Sequence, residues 1–429
     1  MSRMQSTEGI AGPVRYLLAG LFACALFGFP LVSTLPVFLG TESRPVSLVY
    51  RAVIVVCSGA LLAVALTRKR AVIPRRDVAL VATLMAVLVA RLVWDSSLAV
   101  LPLDLAWEEI WPFALGVTLL PAAAFFVRMD DSTLTLAFRW SLWLGIATAL
   151  FLLAAAVVAL RDAVAFLRLT TGVLNPIAIG HVGVSLFVLA VAGPTVGGRE
   201  GMKHSARSVV GRGAGALIAM ALIIASGSKG PMLAWLVVLL GWLVALVSAA
   251  AAQGRGTPRV LGAALVLALI VLAVVSVHAI TPLPIVERFI DIGRDQSTSE
   301  RVRLLTQAIA QFEESPWLGS AVYVFESRLY PHNIIVESLM VGGVLAFVLL
   351  VMLLSRGTLA AWEILRLGGR NVWLSLLYLQ YVVDAMFSGS LYFSPQFWVI
   401  SVAMLGLAGT AVAPATRQVR ADTPLGVRT

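Results

Sequence analysis

The chain has 429 residues, of which 60% are hydrophobic and 13% charged, with a formal net charge of +10. That composition excludes a soluble globular domain and describes a polytopic membrane protein. It also argues against nucleic acid as the partner, because the cations sit in short loops between apolar runs and do not cluster on a soluble face.

Arg3 and Arg15 precede the first apolar run without a small-residue cleavage pattern, so this run reads as a retained helix. A window of about 19 residues marks apolar segments along the chain. Twelve are expected to span the bilayer, at 16–38, 48–67, 77–94, 110–127, 141–160, 176–193, 211–226, 231–252, 259–281, 333–354, 371–388 and 394–413. Cys24 and Cys57 fall inside spans, where neither a disulfide framework nor a metal quartet is plausible. With the N-terminus in the cytoplasm, 21 of the 32 lysines and arginines lie on the cytoplasmic side, and both termini are expected there.

The other basic residues lie where topology gives no reason for them, and five of them, Arg288, Arg294, Arg301, Arg303 and Arg328, share one segment. That segment, about 281–331, is the long external loop expected between spans nine and ten. The chain thus divides into residues 1–281 with nine spans, an external loop domain at 282–331, and 332–429 with the last three spans and a tail. Inside the loop, "STSERVRLLTQAIAQFEESPWLGS" predicts a helix capped by Ser297 or Ser299, with Leu305, Ala308, Ile309 and Phe312 on one face and an end at Pro316 and Gly319.

Three stretches carry candidate chemistry. "SGSKG" is a tight external turn between spans seven and eight, where Ser226, Ser228 and Lys229 offer hydroxyls and a cation suited to a phosphate; a solvated lysine in an interhelical turn is an equal reading. "VERFIDIGRDQSTSERVR" interleaves Arg288, Arg294, Arg301 and Arg303 with Glu287, Asp291, Asp295 and Glu300. Guanidinium groups grip phosphate through paired N–H···O bonds, but on charge pattern alone a salt-bridged solvated loop is the stronger reading. "PHNIIVESLMVGG" places His332 and Asn333 in the first turn of span ten, with Glu337 one turn inward and seeking a partner in His332 or a loop arginine. His332 titrates near neutrality and suits a general base; alone, it reads more readily as a helix cap.

Weaker signals are Asn175 and His181 at the external end of span six, a cap and a packed histidine by default, and Arg91 and Asp384, which interhelical pairing explains as readily as catalysis. Neither zinc-ligand spacing nor an acidic magnesium site nor a phosphate-binding loop of the nucleotide-hydrolase kind occurs, so no cofactor is expected.

The "SGSKG" turn, "STSERVR", "SPWLG" and "PHNIIVESLMVGG", in that order, resemble the O-antigen ligase and Wzy polymerase superfamily of bacterial polysaccharide membrane proteins. The resemblance covers about residues 170–345, and the expected span count extends it to the whole topology. It implies an inner-membrane enzyme that transfers a glycan from undecaprenyl diphosphate, on the periplasmic face, to an acceptor hydroxyl. In the ligases the acceptor is the lipid A-core of lipopolysaccharide; in the polymerases it is another lipid-linked glycan. Carried over by motif, Lys229 and Arg301, with Arg288 beside them, hold the diphosphate, and His332 serves the acceptor hydroxyl. Ser228, Asn333, Glu337, Arg303, Asn175 and Arg91 stand as supporting candidates. One departure is Lys229, where the family usually has arginine; the charge remains and the bidentate fork is lost. The compact "PHN" entry and single long loop favour the ligase over the polymerase. A lipid-linked glycan transporter and a non-catalytic scaffold stay as readings of another class; the gathering of polar residues at the external ends, and not at mid-membrane, tells against transport.

Overall fold

A computed structural model describes residues 12–67, 73–98, 110–160, 174–193, 206–252 and 296–408. Among these the chain is all-helical. The helices are α1 (Gly12–Leu39), α2 (Ser43–Thr67), α3 (Arg75–Ser97), α4 (Pro112–Ala124), α5 (Asp131–Leu160), α6 (Pro176–Val191), α7 (Ala206–Ser226) and α8 (Lys229–Ala252). They continue with α9 (Gln296–Glu314), α10 (Ile334–Leu367), α11 (Val372–Phe387) and α12 (Pro395–Leu407). Among the described residues six helices, α1, α2, α3, α5, α8 and α10, are long and apolar enough to cross a membrane, and α4, α6, α7, α11 and α12 are shorter apolar helices. Together they fall on the expected segments except the ninth, 259–281, which lies outside the described residues.

Apart from α7, which exposes Val210 and Leu217, the shorter helices sit innermost. In α11 and α12 and the turn between them, Trp373, Trp398, Tyr378 and Tyr392 are fully buried, whereas α2 and α10 expose apolar stripes such as Val53, Val56, Leu345, Val348 and Met352. A helix apolar all round is a core helix, and one with an exposed apolar stripe is built for lipid. Proline-bearing α1 passes through a π-helical turn at Cys24–Gly28, and the Tyr50 hydroxyl donates to the Cys24 carbonyl at 3.0 Å, so the irregular turn leaves that acceptor satisfied.

The two ends of the bundle differ. At one end the N-terminus of α3 meets the lower part of α10 through an Asp77–Arg356 ion pair, and Arg370 donates to Thr135 of α5. The opposite end gathers the C-terminus of α3, the N-terminus of α6, the α7–α8 turn, α9, and the loops leading into α10 and α12. This is the end to which the expected orientation assigns the external loops.

α10 is not one helix but two, broken at Gly342 (φ −134°) and Gly343 (φ +61°). The loop after α9, Ser315–Ser320, docks its backbone into the break: Val344 N donates to the Pro316 carbonyl at 2.9 Å and Ser320 N to the Met340 carbonyl at 2.7 Å. A side chain at Gly343 would meet Pro316 and Trp317 backbone at 2.5 Å, so the left-handed φ and the close approach both demand glycine. The junction is locked by Arg91 of α3. Its Nε donates to Val341 O at 2.9 Å, Nη1 to Ser320 O at 3.0 Å and to Asp95 Oδ1 at 3.3 Å, and Nη2 to Leu318 O at 2.6 Å and Gly319 O at 2.8 Å. All five N–H donors are used. Asp95 Oδ2 in turn accepts from Val322 N at 2.7 Å.

α9 departs from its expected register. It is already helical at Gln296, the first described residue of this stretch, so Ser297 and Ser299 both lie within it and neither is its cap. Its buried residues are Leu304, Ala308 and Gln311, with Ile309 42% exposed, one position off the expected stripe. The reason is Gln311, whose Oε1 accepts from Phe325 N at 2.9 Å and whose Nε2 donates to Tyr323 O at 3.3 Å. A polar residue braces the following loop, and an apolar pattern cannot announce it.

Gly343→Ala is expected to cost about 1–3 kcal/mol from the left-handed conformation alone. Arg91→Gln, which orphans buried carbonyls at about 1–3 kcal/mol each, is expected to lower the thermal unfolding midpoint in detergent more than any exposed arginine substitution.

Candidate functional site

The residues leading into α10 set the geometry. Asn333, not His332, caps the helix: its Oδ1 accepts from Ile335 N at 3.0 Å and Val336 N at 3.1 Å, and its Nδ2 donates to the Met386 carbonyl at 3.0 Å. The cap therefore also straps α10 to the end of α11. The expectation that both residues occupy the first turn is corrected accordingly, since the helix begins at Ile334. His332 stands outside it in the left-handed region, φ +57°, a conformation rare for side chains of this size.

That backbone choice turns the imidazole toward the α11–α12 loop. Nδ1 lies 3.3 Å from the Ser388 carbonyl oxygen, and the ring meets Tyr330 edge-on at 4.4 Å between centroids. A carbonyl can only accept, so this contact selects the tautomer protonated at Nδ1 and leaves the Nε2 lone pair for a substrate proton. Burial pulls the pKa of His332 below the ordinary imidazole range; the Ser388 carbonyl works against that, and the positive charge of Arg301 works with it. The result is an imidazole that is neutral at pH 7. Tyr330, stacked on Phe393 at 5.7 Å, is pushed up to about 12 by burial and by the charges of Glu337 and Asp384, against Arg301, and stays a neutral phenol.

Helical phase explains which loop arginine reaches this place. Arg301 lies seven residues before buried Ala308 and shares its inward face; Arg303, two residues on, points away. Arg303 is 48% exposed and forks onto Glu300 at 2.6 and 3.1 Å, the solvated pair that the charge pattern suggested. Arg288 and Arg294 lie outside the described residues.

The "SGSKG" turn joins the site from the other side. Ser226 Oγ donates to Ile223 O at 2.7 Å, Ser228 Oγ to Ser226 O at 3.3 Å, and Gly227 takes φ +55°, so the turn is wound tightly, with Ser228 buried and Lys229 opening α8 half-buried. Ser228 faces the protein more than an open cleft. A Cβ on Gly230 would lie 3.5 Å from Ser388 Oγ, which puts the turn beside the loop that holds His332. One on Gly180 would lie 2.6 Å from Pro231, so α6 packs directly on the turn.

Glu337 has neither expected partner. Its buried carboxylate accepts from Ser390 Oγ at 2.7 Å and Leu391 N at 2.8 Å. It acts as an anchor for the α11–α12 loop and so, at one remove, for the Ser388 carbonyl. Asn175 accepts from Ala178 N at 2.8 Å as the exposed cap of α6, and the guanidinium of Arg91 is engaged at the α10 break.

His181 and Asp384, given low weight in the sequence, come together: Nε2 and Oδ1 are 2.9 Å apart between α6 and α11. Gln380 donates to the His181 carbonyl at 3.0 Å and to Ser185 Oγ at 2.8 Å, and Ser185 shares a 2.8 Å hydrogen bond with Tyr381. Ionisable groups inside apolar helices warrant a functional reading by default, and that signal could have raised this pair. Tyr330 and the Ser388 carbonyl had no comparable signal. Among the described residues no group of His, Cys, Asp and Glu has the arrangement of a metal site.

Residues 214–351 match the family model described as O-antigen ligase (Wzy_C). The matched stretch runs from α7 through the turn, α9 and the first half of α10, and so contains Lys229, Arg301 and His332. Neither the curated proteins nor the solved structures yield a match.

Asn333→Ala, losing cap and strap, is expected to destabilise by about 1–2 kcal/mol. Arg303→Ala is expected to stay within about 0.5 kcal/mol of the parent protein; chemical or thermal unfolding in detergent separates the two.

Proposed function

From the match of residues 214–351 to the O-antigen ligase family model, we propose that the chain transfers a preassembled glycan from undecaprenyl diphosphate to a hydroxyl of the lipid A-core. The reaction takes place at the periplasmic face of the inner membrane. The observation that carries the reading is the placement of a neutral imidazole, its Nδ1 held by a backbone carbonyl, within the field of Arg301 and beside the Lys229 turn.

In this reading the acceptor hydroxyl meets Nε2 of His332, which takes its proton as oxygen attacks the anomeric carbon. The bond from that carbon to the diphosphate oxygen breaks on the opposite side, the electron pair leaves with undecaprenyl diphosphate, and the anomeric configuration inverts. Arg301 and Lys229, with Arg288 from the preceding loop, hold the diphosphate and stabilise the negative charge that grows as it departs. Lys229 sits at the N-terminus of α8, where the helix dipole adds to its field. Since the leaving group is stable as an anion, neither metal nor nucleotide is required.

Asparagine accepts the left-handed conformation of residue 332, so His332→Asn tests the base without disturbing the backbone. Transfer of glycan to purified lipid A-core is expected to fall about 10²–10⁴-fold with unfolding unchanged, and parental activity in this variant removes the proposed base. Because its pKa is lowered, the parent enzyme is expected to hold its rate as pH falls through the ordinary histidine range and to lose it only in more acid solution. Arg301 contributes to that lowering, so in Arg301→Gln the residual activity is expected to decline at a higher pH.

A further inference from the structure

We infer that the Ser315–Ser320 loop is a re-entrant element of the outer leaflet, with Trp317 and Leu318 inserted among lipid acyl chains. The argument starts from length. In α10 the apolar run from Ile334 ends before Ser355 and Arg356; its ~21 residues at ~1.5 Å each match a hydrocarbon core of ~30 Å. Ile334 therefore stands near one surface of the core. The loop does not meet α10 there. Its Pro316 and Trp317 backbone packs against Gly343, nine residues further on, a depth of ~13 Å.

Non-helical backbone at that depth must have its polar groups satisfied by protein, because hydrocarbon offers no partner. The Arg91 guanidinium supplies partners for the carbonyls of Leu318, Gly319 and Ser320 as well as Val341, Val344 N for that of Pro316, and Gly319 N for that of Ser315. The polar backbone faces inward, and the side chains face out: Trp317 is 75% exposed and Leu318 73%. They adjoin the exposed stripe of α10 that begins at Leu345, and the end of α3 on the other side exposes Val93 and Trp94. The apolar surface is thus continuous with two lipid-facing helices, and acyl chains are the occupant its chemistry fits. The inference requires only that these helices span a bilayer and does not depend on the proposed reaction. It does give the site a level: α9, which carries Arg301, runs directly into this loop, so the loop fixes that arginine relative to the membrane.

Spin labels on Leu318→Cys and, separately, Trp317→Cys, in protein carrying Cys24→Ala and Cys57→Ala, test it in phosphatidylcholine–phosphatidylglycerol nanodiscs. The ratio of collision with oxygen to collision with a water-soluble nickel chelate reports depth. Both labels are expected to match Leu345→Cys, on the lipid-facing stripe, and to exceed Val302→Cys, exposed on α9. Ratios that group the loop labels with Val302→Cys overturn the inference, and either loop position alone suffices if the other variant fails to fold.

Discussion

The architecture of the polar end depends on one guanidinium. A helix broken inside an apolar environment exposes carbonyls that nothing in hydrocarbon can satisfy, and a loop laid into the break brings more of them. Arg91 answers both with a single planar fork and is itself neutralised by Asp95, four residues along the same helix. Because the fork is rigid and every donor is engaged, it fixes α3, the broken α10 and the loop after α9 in one arrangement. The placement of Arg301 and of the chain entering α10 follows from that arrangement.

A second layer of fixation lies closer to the imidazole, and it is built from residues whose polar groups never reach an open site. Asn333 joins the start of α10 to the end of α11, and Glu337 holds the turn that follows. Ser388 lies between these two ties, so its carbonyl is held still and the tautomer of His332 with it. The charged and polar residues of this region thus separate into two groups. Arg301 acts on His332 through its charge and the Lys229 turn lies beside the loop that holds it, while Arg91, Asn333 and Glu337 are engaged in the packing around it.

The apolar pattern made the helices legible, because each long run reports burial or lipid directly. The ordered short motifs marked the stretch that the family match covers. The partners of the polar residues were not legible, for a physical reason. Arg91 binds backbone carbonyls more than two hundred residues away, and a carbonyl carries no residue signature. Glu337 found a serine hydroxyl and an amide where a charge-based reading looks for a cation. The difference between Arg301 and Arg303 was legible in principle, since helical phase separates them, but only once the buried face of α9 had been located, and Gln311 shifted that face. His181 and Asp384 show the converse case, two ionisable residues visible in the sequence whose meeting required the packing of α6 on α11.

The break in α10 has a mechanical consequence. Below it, the long lower half is coupled to α11 through Tyr378, which packs on Gly357 and donates to the Leu354 carbonyl at 2.9 Å. Above it, the short upper segment is tied to the α11–α12 loop through Glu337 and to α3 through Arg91. A continuous helix would take the direction of its tip from its own lower half; the broken one has its junction held from outside. The direction in which the upper segment leaves the break is therefore set by one side chain of α3 and by the backbone of the docked loop, and the chain that enters at His332 inherits it.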